Sequence, residues 1–463
     1  GDKLQVNIVA RNHRGEQKRY GGDYFRVLLK TDKDTTSVIA DITDNLDGTY
    51  TAILPLHFSG KARLKVIMIH PSEAIDLLRR VTSTKWSPGL FFSARFKEKN
   101  YEENTECNIW LPSMHDEPLY CNFSNTKTGE PWYCEKPKKL GCDAFISYGM
   151  ARTTVNVRGI TATFFTKHTH VQISSLIQES KTMFLCCTGG DVYNRPLCTA
   201  SKAGNLPPRP AGYFLHDVWH STHCATRFFL DGPSHVNCLQ NKFIYLFGDS
   251  TIRQWYSYYV PLVSSKIVAG FDYYFGIKGI TLYEKQKTPT VWEPRTAVNE
   301  YKNLSIHFAA HGMPLQNGGG RESVPYIADS IDAVQGGPDT VVAFTIGFHL
   351  LLYDPSVYVR RLITIREAIG RLLNRSPETI VIFKGLNFYQ MDDMFNNQCC
   401  LSEWLALRLE TIARAIFKEE RRMVVLDTWD MTASHYSIPD GLHPTNQIIE
   451  NEIQLFLSFV CPN

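Results

Sequence analysis

Two short stretches, far apart in the chain, carry residue types able to act on one another: Gly248-Asp249-Ser250 and Asp440-Gly441-Leu442-His443. Ser250 follows the apolar run Phe243–Phe247 and precedes a helix-like stretch from Thr251. A serine between a strand and a helix exposes its hydroxyl above the sheet edge, where the first backbone N–H groups of the helix also point. A free hydroxyl is a poor nucleophile and needs a base. A carboxylate three residues before a histidine can fix the imidazole tautomer. Asp440 is therefore expected to hold His443 Nδ1–H and leave Nε2 to take the serine proton. Alone, Gly-Asp-Ser is a common turn and Asp-x-x-His a common helix cap. Found together at opposite ends of one α/β pattern, they point to nucleophilic catalysis with Ser250, Asp440 and His443 as the catalytic residues.

Arg253 lies three residues after Ser250 and on a helix faces nearly the same way. Its guanidinium fork suits a carboxylate or a phosphate, and an ion pair with Asp249 is the local alternative. His216, His220 and His223 beside Cys224 have helical spacing, which would suit a zinc site. A disulfide at Cys224 accounts for that segment better, so no metal is expected. Trp255, Tyr256, Tyr258 and Tyr259 read as helix packing rather than a sugar platform.

The elements that must position these residues begin at Lys242. Apolar runs at Phe243–Phe247, Leu304–Phe308, Thr340–Ile346, Thr379–Phe383 and Met423–Leu426 alternate with helical patterns around Val357–Leu373, Ser402–Glu419 and Asn446–Phe459. Short buried strands separated by helices predict an α/β domain over 241–463, a parallel sheet with helices on both faces. Functional groups then gather beyond the carboxyl ends of the strands. Residues 1–80 read instead as short strands with turns, among them Asp47-Gly48 and the alternating Ala62–Val66, and predict a small β-sandwich. Between them, 81–240 is rich in Cys, Pro, Trp and Tyr and reads as a disulfide-stapled region packed on both neighbours.

At 463 residues, more than one domain is expected. The formal net charge of +3 gives no electrostatic reason to propose nucleic acid as a partner. Of twelve cysteines none precedes Cys107 and nine fall within 107–238, without paired metal-ligand spacings. That distribution predicts disulfides and an oxidising compartment. The vicinal pairs Cys186–Cys187 and Cys399–Cys400 are expected to bond elsewhere rather than to each other. Sequons at Asn122, Asn303 and Asn374 agree with the secretory route, Golgi lumen or secreted. No apolar run reaches the roughly 18–20 residues of a membrane span. The chain opens in strand-like sequence, so a targeting segment is expected to have been removed or to lie outside it.

The Gly-Asp-Ser after a strand with the Asp-Gly-Leu-His near the end resembles the SGNH (GDSL-like) superfamily. The stretch Cys238-Leu-Gln-Asn-Lys-Phe-Ile-Tyr-Leu-Phe-Gly-Asp-Ser-Thr-Ile-Arg253 resembles its PC-esterase branch, with the signature Gly-Asp-Ser-x-x-Arg. Residues Asp47–Leu56 and Ser59–Val66 are similar to the filamin type of immunoglobulin-like repeat. The whole chain resembles the neurexophilin and PC-esterase domain family. Relatives of that branch include plant wall-polysaccharide O-acetyltransferases and a Golgi sialic acid O-acetyltransferase.

The resemblance therefore implies acetyl transfer from acetyl-CoA, with no bound cofactor, to sialylated glycans or glycoproteins. An esterase using water and a non-catalytic, neurexophilin-like secreted ligand are the alternatives. It also implies an oxyanion hole from the Ser250 N–H, a glycine after a second strand and an asparagine after a third. Gly312, in Ala-Ala-His-Gly-Met-Pro, fits the glycine, with His311 beside it as a substrate contact or, alternatively, a loop histidine satisfied within the protein. His349 stands where the asparagine is expected, a departure from the superfamily pattern.

Overall fold

A computed structural model describes residues 3–31, 35–83, 90–111, 119–148, 152–153, 171–172, 183–185, 195–200, 206–263, 281–282, 292, 294–315, 325–389, 402–435 and 441–461. The N-terminal strands are β1 (Lys3–Val9), β2 (Tyr24–Thr31), β3 (Ser37–Ile39), β4 (Asp41–Asp44), β5 (Thr49–Pro55) and β6 (Gly60–His70). They form two antiparallel sheets, β1-β5-β4 and one built on β6-β2-β3. Alternation sets the packing: Val27 and Leu29 of β2 and Tyr50, Ala52 and Leu54 of β5 face one shared core.

A helix absent from the sequence expectation, α1 (Ser72–Thr82), follows β6. Pro71 opens it, and Ala74, Ile75, Leu78 and Thr82 form its buried stripe. That stripe packs into the core cluster of the C-terminal half, so tertiary burial supports a helix whose sequence carries Arg79 and Arg80 on the open side.

Strands β7 (Leu90–Glu98), β8 (Tyr101–Asn108), β9 (Tyr120–Asn122), β10 (Tyr133–Glu135) and β11 (Phe145–Tyr148) make an antiparallel sheet stapled by Cys107–Cys134 and Cys121–Cys142. Short strands β12 (Arg152–Thr153), β13 (Val171–Gln172) and β14 (Met183–Leu185) add to these sheets. The hairpin β15 (Gly212–Leu215) and β16 (Val218–Ser221) joins the N-terminal sheet through β3. His216 and Asp217 turn this hairpin at positive φ, so His216 and His220 lie on a hairpin and His223 in the bend after it, rather than on the helix their spacing suggested. Among the described residues no group of His, Cys, Asp and Glu is arranged to hold a metal ion.

The C-terminal half contains α2 (Gly232–Cys238), β17 (Phe243–Gly248), α3 (Ser250–Val263), β18 (Thr281–Leu282), β19 (Arg295–Asn299), β20 (Leu304–Ala310), α4 (Ile327–Ala333), β21 (Thr340–Phe344), α5 (Pro355–Arg375), β22 (Ile380–Lys384), α6 (Glu403–Phe417), β23 (Val424–Leu426), α7 (Thr428–Ser434) and α8 (Asn446–Val460). Its sheet is mixed, in the order β18-β19-β20-β17-β21-β22-β23. Strands β20, β17, β21, β22 and β23 run parallel, and β18 and β19 add antiparallel at one edge. Runs such as Thr340–Phe344 are buried throughout, as a strand covered on both faces must be.

Cys238–Cys461 closes this half from α2 to the residue after α8, and Cys198–Cys224 staples the segment that precedes it. The vicinal cysteines 186–187 and 399–400 lie outside the described residues. Among the described residues no helix is long and apolar enough to cross a membrane.

Candidate active site

Strand β17 sits between β20 and β21, with Gly248 opposite Ala310 and Phe247 opposite Phe344. Parallel neighbours in register end together, so the residues just past all three strands share one edge. His311 N–H donates to Gly248 O at 3.0 Å and Thr345 N–H to Phe247 O at 3.0 Å, closing that edge. Gly248 has φ +148°, and a Cβ there would stand 2.2 Å from Thr345 O. Glycine is therefore required at the bend that turns the chain from β17 into α3.

Ser250 is the first residue of α3 and half-buried. His443 Nε2 lies 2.7 Å from Ser250 Oγ. Gly441, at φ +77°, supplies the left-handed turn that lets the Asp-Gly-Leu-His stretch bring its histidine back to the sheet edge. Gln254 Nε2 donates to Pro444 O at 3.0 Å, so α3 also holds the residue after the histidine. Asp440, the expected orienting carboxylate, lies outside the described residues.

Asp249 is buried beside Ser250 and is held by the first turn of α3 itself. Its Oδ1 accepts from Thr251 N–H at 2.9 Å and Thr251 Oγ1–H at 2.7 Å. Its Oδ2 is buried without a hydrogen-bond partner among the described residues. This carboxylate works against the burial that depresses the His349 imidazole. Sequence alone offers Asp249 only as an ion-pair partner of Arg253.

Arg253 is half-buried, with its guanidinium 4.8 Å from the centre of the Trp292 ring. Burial, then the like charge of Arg295, hold its acidity above that of an ordinary arginine, while Asp249 opposes the shift. Trp292 meets His349 edge-on, with ring centres 5.3 Å apart. Trp292 thus links Arg253, which lies over its ring, to His349, which meets its edge. Trp292 had no motif around it and was missed in the sequence. Trp255 and Tyr259 of α3 are fully buried.

Gly312 follows β20 by two residues, as Ser250 follows β17. No described residue accepts a hydrogen bond from its N–H, and a Cβ on it would stand 2.4 Å from the Tyr326 ring. Arg361, buried in α5, donates to Met313 O at 3.0 Å and pairs with buried Glu130 at 2.7 Å. A charged side chain from α5 and one from the disulfide-stapled sheet thereby brace the Gly312 loop. Neither was legible as a support in the sequence.

His311, expected as a substrate contact, is fully buried and both its nitrogens are engaged. Nδ1 is 2.7 Å from Gly312 O, and Nε2 is 2.8 Å from His349 Nδ1. It supports His349 instead of reaching a ligand. A carbonyl only accepts, so His311 Nδ1 carries the hydrogen. Burial, with the charges of His349 and Arg361, keeps His311 neutral, far below the usual histidine range. His311 Nε2 is therefore a lone pair, and His349 Nδ1 must donate to it. A neutral His349 consequently presents a lone pair at Nε2, whereas the oxyanion role expected of it requires an N–H.

A family model described as the NXPE family member 4-like C-terminal domain matches residues 219–461, and one described as neurexophilin matches residues 2–156. Among solved structures, phospholipase A1 from Streptomyces albidoflavus NA297 is 14% identical with a TM-score of 0.21. That match covers 33% of this chain and 79% of the phospholipase chain.

Proposed function

The chain belongs to the NXPE family by its match to that C-terminal domain, and we propose that it is an O-acetyltransferase working through an acetyl-Ser250 intermediate. The observation that carries this reading is the 2.7 Å contact between His443 Nε2 and Ser250 Oγ at the first turn of α3. In this reading the C-terminal half is an SGNH-like domain of the PC-esterase branch, preceded by an immunoglobulin-like pair of sheets. The four disulfides among the described residues accord with passage through the secretory route, and we place the protein in the Golgi lumen or outside the cell.

Ser250 Oγ attacks the carbonyl carbon of the acetyl thioester as His443 Nε2 takes its proton. The developing oxyanion is met by the N–H groups of Ser250 and Gly312. The C–S bond of acetyl-CoA then breaks, and the coenzyme A sulfur leaves with the proton held by His443. In the second half-reaction a glycan hydroxyl loses its proton to His443 and attacks the acetyl-serine, and Ser250 recovers that proton as the ester departs. Asp440 is assigned the task of holding His443 Nδ1–H.

Sialic acid is the acceptor we favour. The Arg253 guanidinium, partly buried and pressed by the like charge of Arg295, gains from an incoming carboxylate. Labelled acetyl-CoA with a sialylated glycoprotein tests the reading, with Ser250→Ala as control. Labelled, ester-bound acetyl on the glycan supports it. Free acetate alone replaces it with an esterase, and no turnover at all leaves a non-catalytic secreted ligand.

A further inference from the structure

The hydrogen bond between His311 and His349 crosses the carboxyl end of β17. His311 directly follows β20, and His349 lies beyond β21; these are the two strands flanking β17. The bridge therefore spans the edge from which Ser250 rises. Its direction is set at the far end by Gly312 O, which can only accept. Each neutral ring passes the constraint on, and the chain ends at His349 Nε2 with a lone pair.

His349 is half-buried, and its Nε2 has no hydrogen-bond partner among the described residues. Around it stand Asp249, Arg253 and His443, the groups whose charges act on its ring, together with the edge of Trp292. All belong to the surroundings of the nucleophile. A fixed lone pair in this place can receive an O–H and cannot stabilise a developing negative charge.

Building on the acyl-serine reading, we propose that His349 Nε2 accepts a hydrogen bond from a second, non-reacting hydroxyl of the acyl acceptor. His443 already serves the hydroxyl that reacts. The site then selects acceptors bearing neighbouring hydroxyls, a sugar or polyol, over simple alcohols and water. Specificity of this kind is effective because a monohydroxylic acceptor leaves the His349 lone pair unpaired once water is excluded. His311 is a positioning residue: it touches no acceptor and holds the tautomer of the group that does.

The test uses the full chain acetylated by p-nitrophenyl acetate, with glycerol and 1-propanol as competing acceptors. The acetyl-glycerol to acetyl-propanol ratio is expected to fall about tenfold in His349→Phe and His349→Leu, neither of which can accept the hydroxyl's hydrogen bond. The burst of p-nitrophenol, which reports Ser250 acylation and the oxyanion hole, should fall by clearly less than transfer to glycerol does. A burst that falls in step with transfer would return His349 to the oxyanion hole and overturn the proposal, as would an unchanged ratio. Nitrogen-15 shifts of the ring supply a readout independent of turnover. A pyridine-like Nε2 in His349 is expected near neutral pH, and a protonated one refutes the tautomer chain. A parent protein with no burst would refute the serine chemistry itself, and this role with it.

Discussion

His443 Nε2 stands 2.7 Å from Ser250 Oγ although 193 residues of chain separate the two. The distance is maintained by contacts between α3 and α8, which carry or adjoin the two residues. Gln254 holds Pro444 O, and the Trp255 indole donates to Glu452 Oε2 at 2.6 Å. Cys238–Cys461 then ties the end of α2 to the residue after α8.

Ser250→Ala is expected to abolish labelling by a fluorophosphonate probe, and His443→Gln to slow it by about 10²–10⁴-fold. Both side chains are half-buried at the sheet edge, so both variants should keep the parent's thermal midpoint. Mass spectrometry of the labelled peptide checks the first expectation and calorimetry the second. Rapid labelling of the alanine variant at another serine would remove Ser250 from the mechanism.

Gly248→Ala should destabilise the protein by about 2–4 kcal/mol, because the new Cβ would lie 2.2 Å from Thr345 O at a strained φ. Gly370, inside α5, is the contrast, since a Cβ there meets nothing within 4 Å. Gly370→Ala is expected to stabilise by roughly 0.5–1 kcal/mol through helix propensity. Denaturant midpoints of the two variants should move in opposite directions.

The two residues that meet, Ser250 and His443, could be singled out because local sequence marks them: Ser250 lies between a strand and a helix, and Asp-Gly-Leu-His is contiguous. The strands and long helices from Phe243 onward were readable for the same reason, through short apolar runs and helical period. What escaped depends on residues brought together by the fold. Trp292 reaches Arg253 and His349 from a segment without a pattern, and the Glu130–Arg361 pair joins two sequence regions that have no local reason to meet. The helix at Ser72–Thr82 was hidden because its buried stripe makes sense only against the core of the other half. The sequence left His311 open between a substrate contact and a satisfied loop histidine, because burial, which sequence does not show, decides whether such a residue meets a ligand or supports a neighbour.

Beneath α3 lies a charged group that should report on the packing of the site. Lys384 of β22 and Glu452 of α8 are both fully buried, 3.6 Å apart, with Asn387 Oδ1 2.6 Å from the ammonium. Lys384→Met leaves the Glu452 carboxylate without its cation and is expected to cost about 3–5 kcal/mol. Adding Glu452→Gln should recover much of that loss, because the amide carries no buried charge and can still accept from Trp255. Denaturant unfolding of the single and double variants measures the coupling, and additive losses would show that the two charges act independently.

Asp430 gives the protein a pH dependence whose sign can be worked out. Burial raises its carboxyl to about 7, with the neighbouring charge of Asp427 adding to the shift and Arg209 opposing it. Its Oδ2 accepts from Ala211 N–H at 2.8 Å, a bond that a neutral side chain can also make. The unfolded chain releases this proton near 3.8, so between that pH and about 7 the folded state holds a proton that the unfolded state does not. The stabilising contribution is complete below 3.8 and is lost as pH rises through about 7. Asparagine resembles the protonated acid. Asp430→Asn is therefore expected to stabilise the protein at pH 8 by on the order of 2 kcal/mol and to change little near pH 4. Thermal midpoints of parent and variant across that range provide the check: the gap should open as pH rises, and a gap that is constant or widens toward acid would show that Asp430 is held ionised by Arg209.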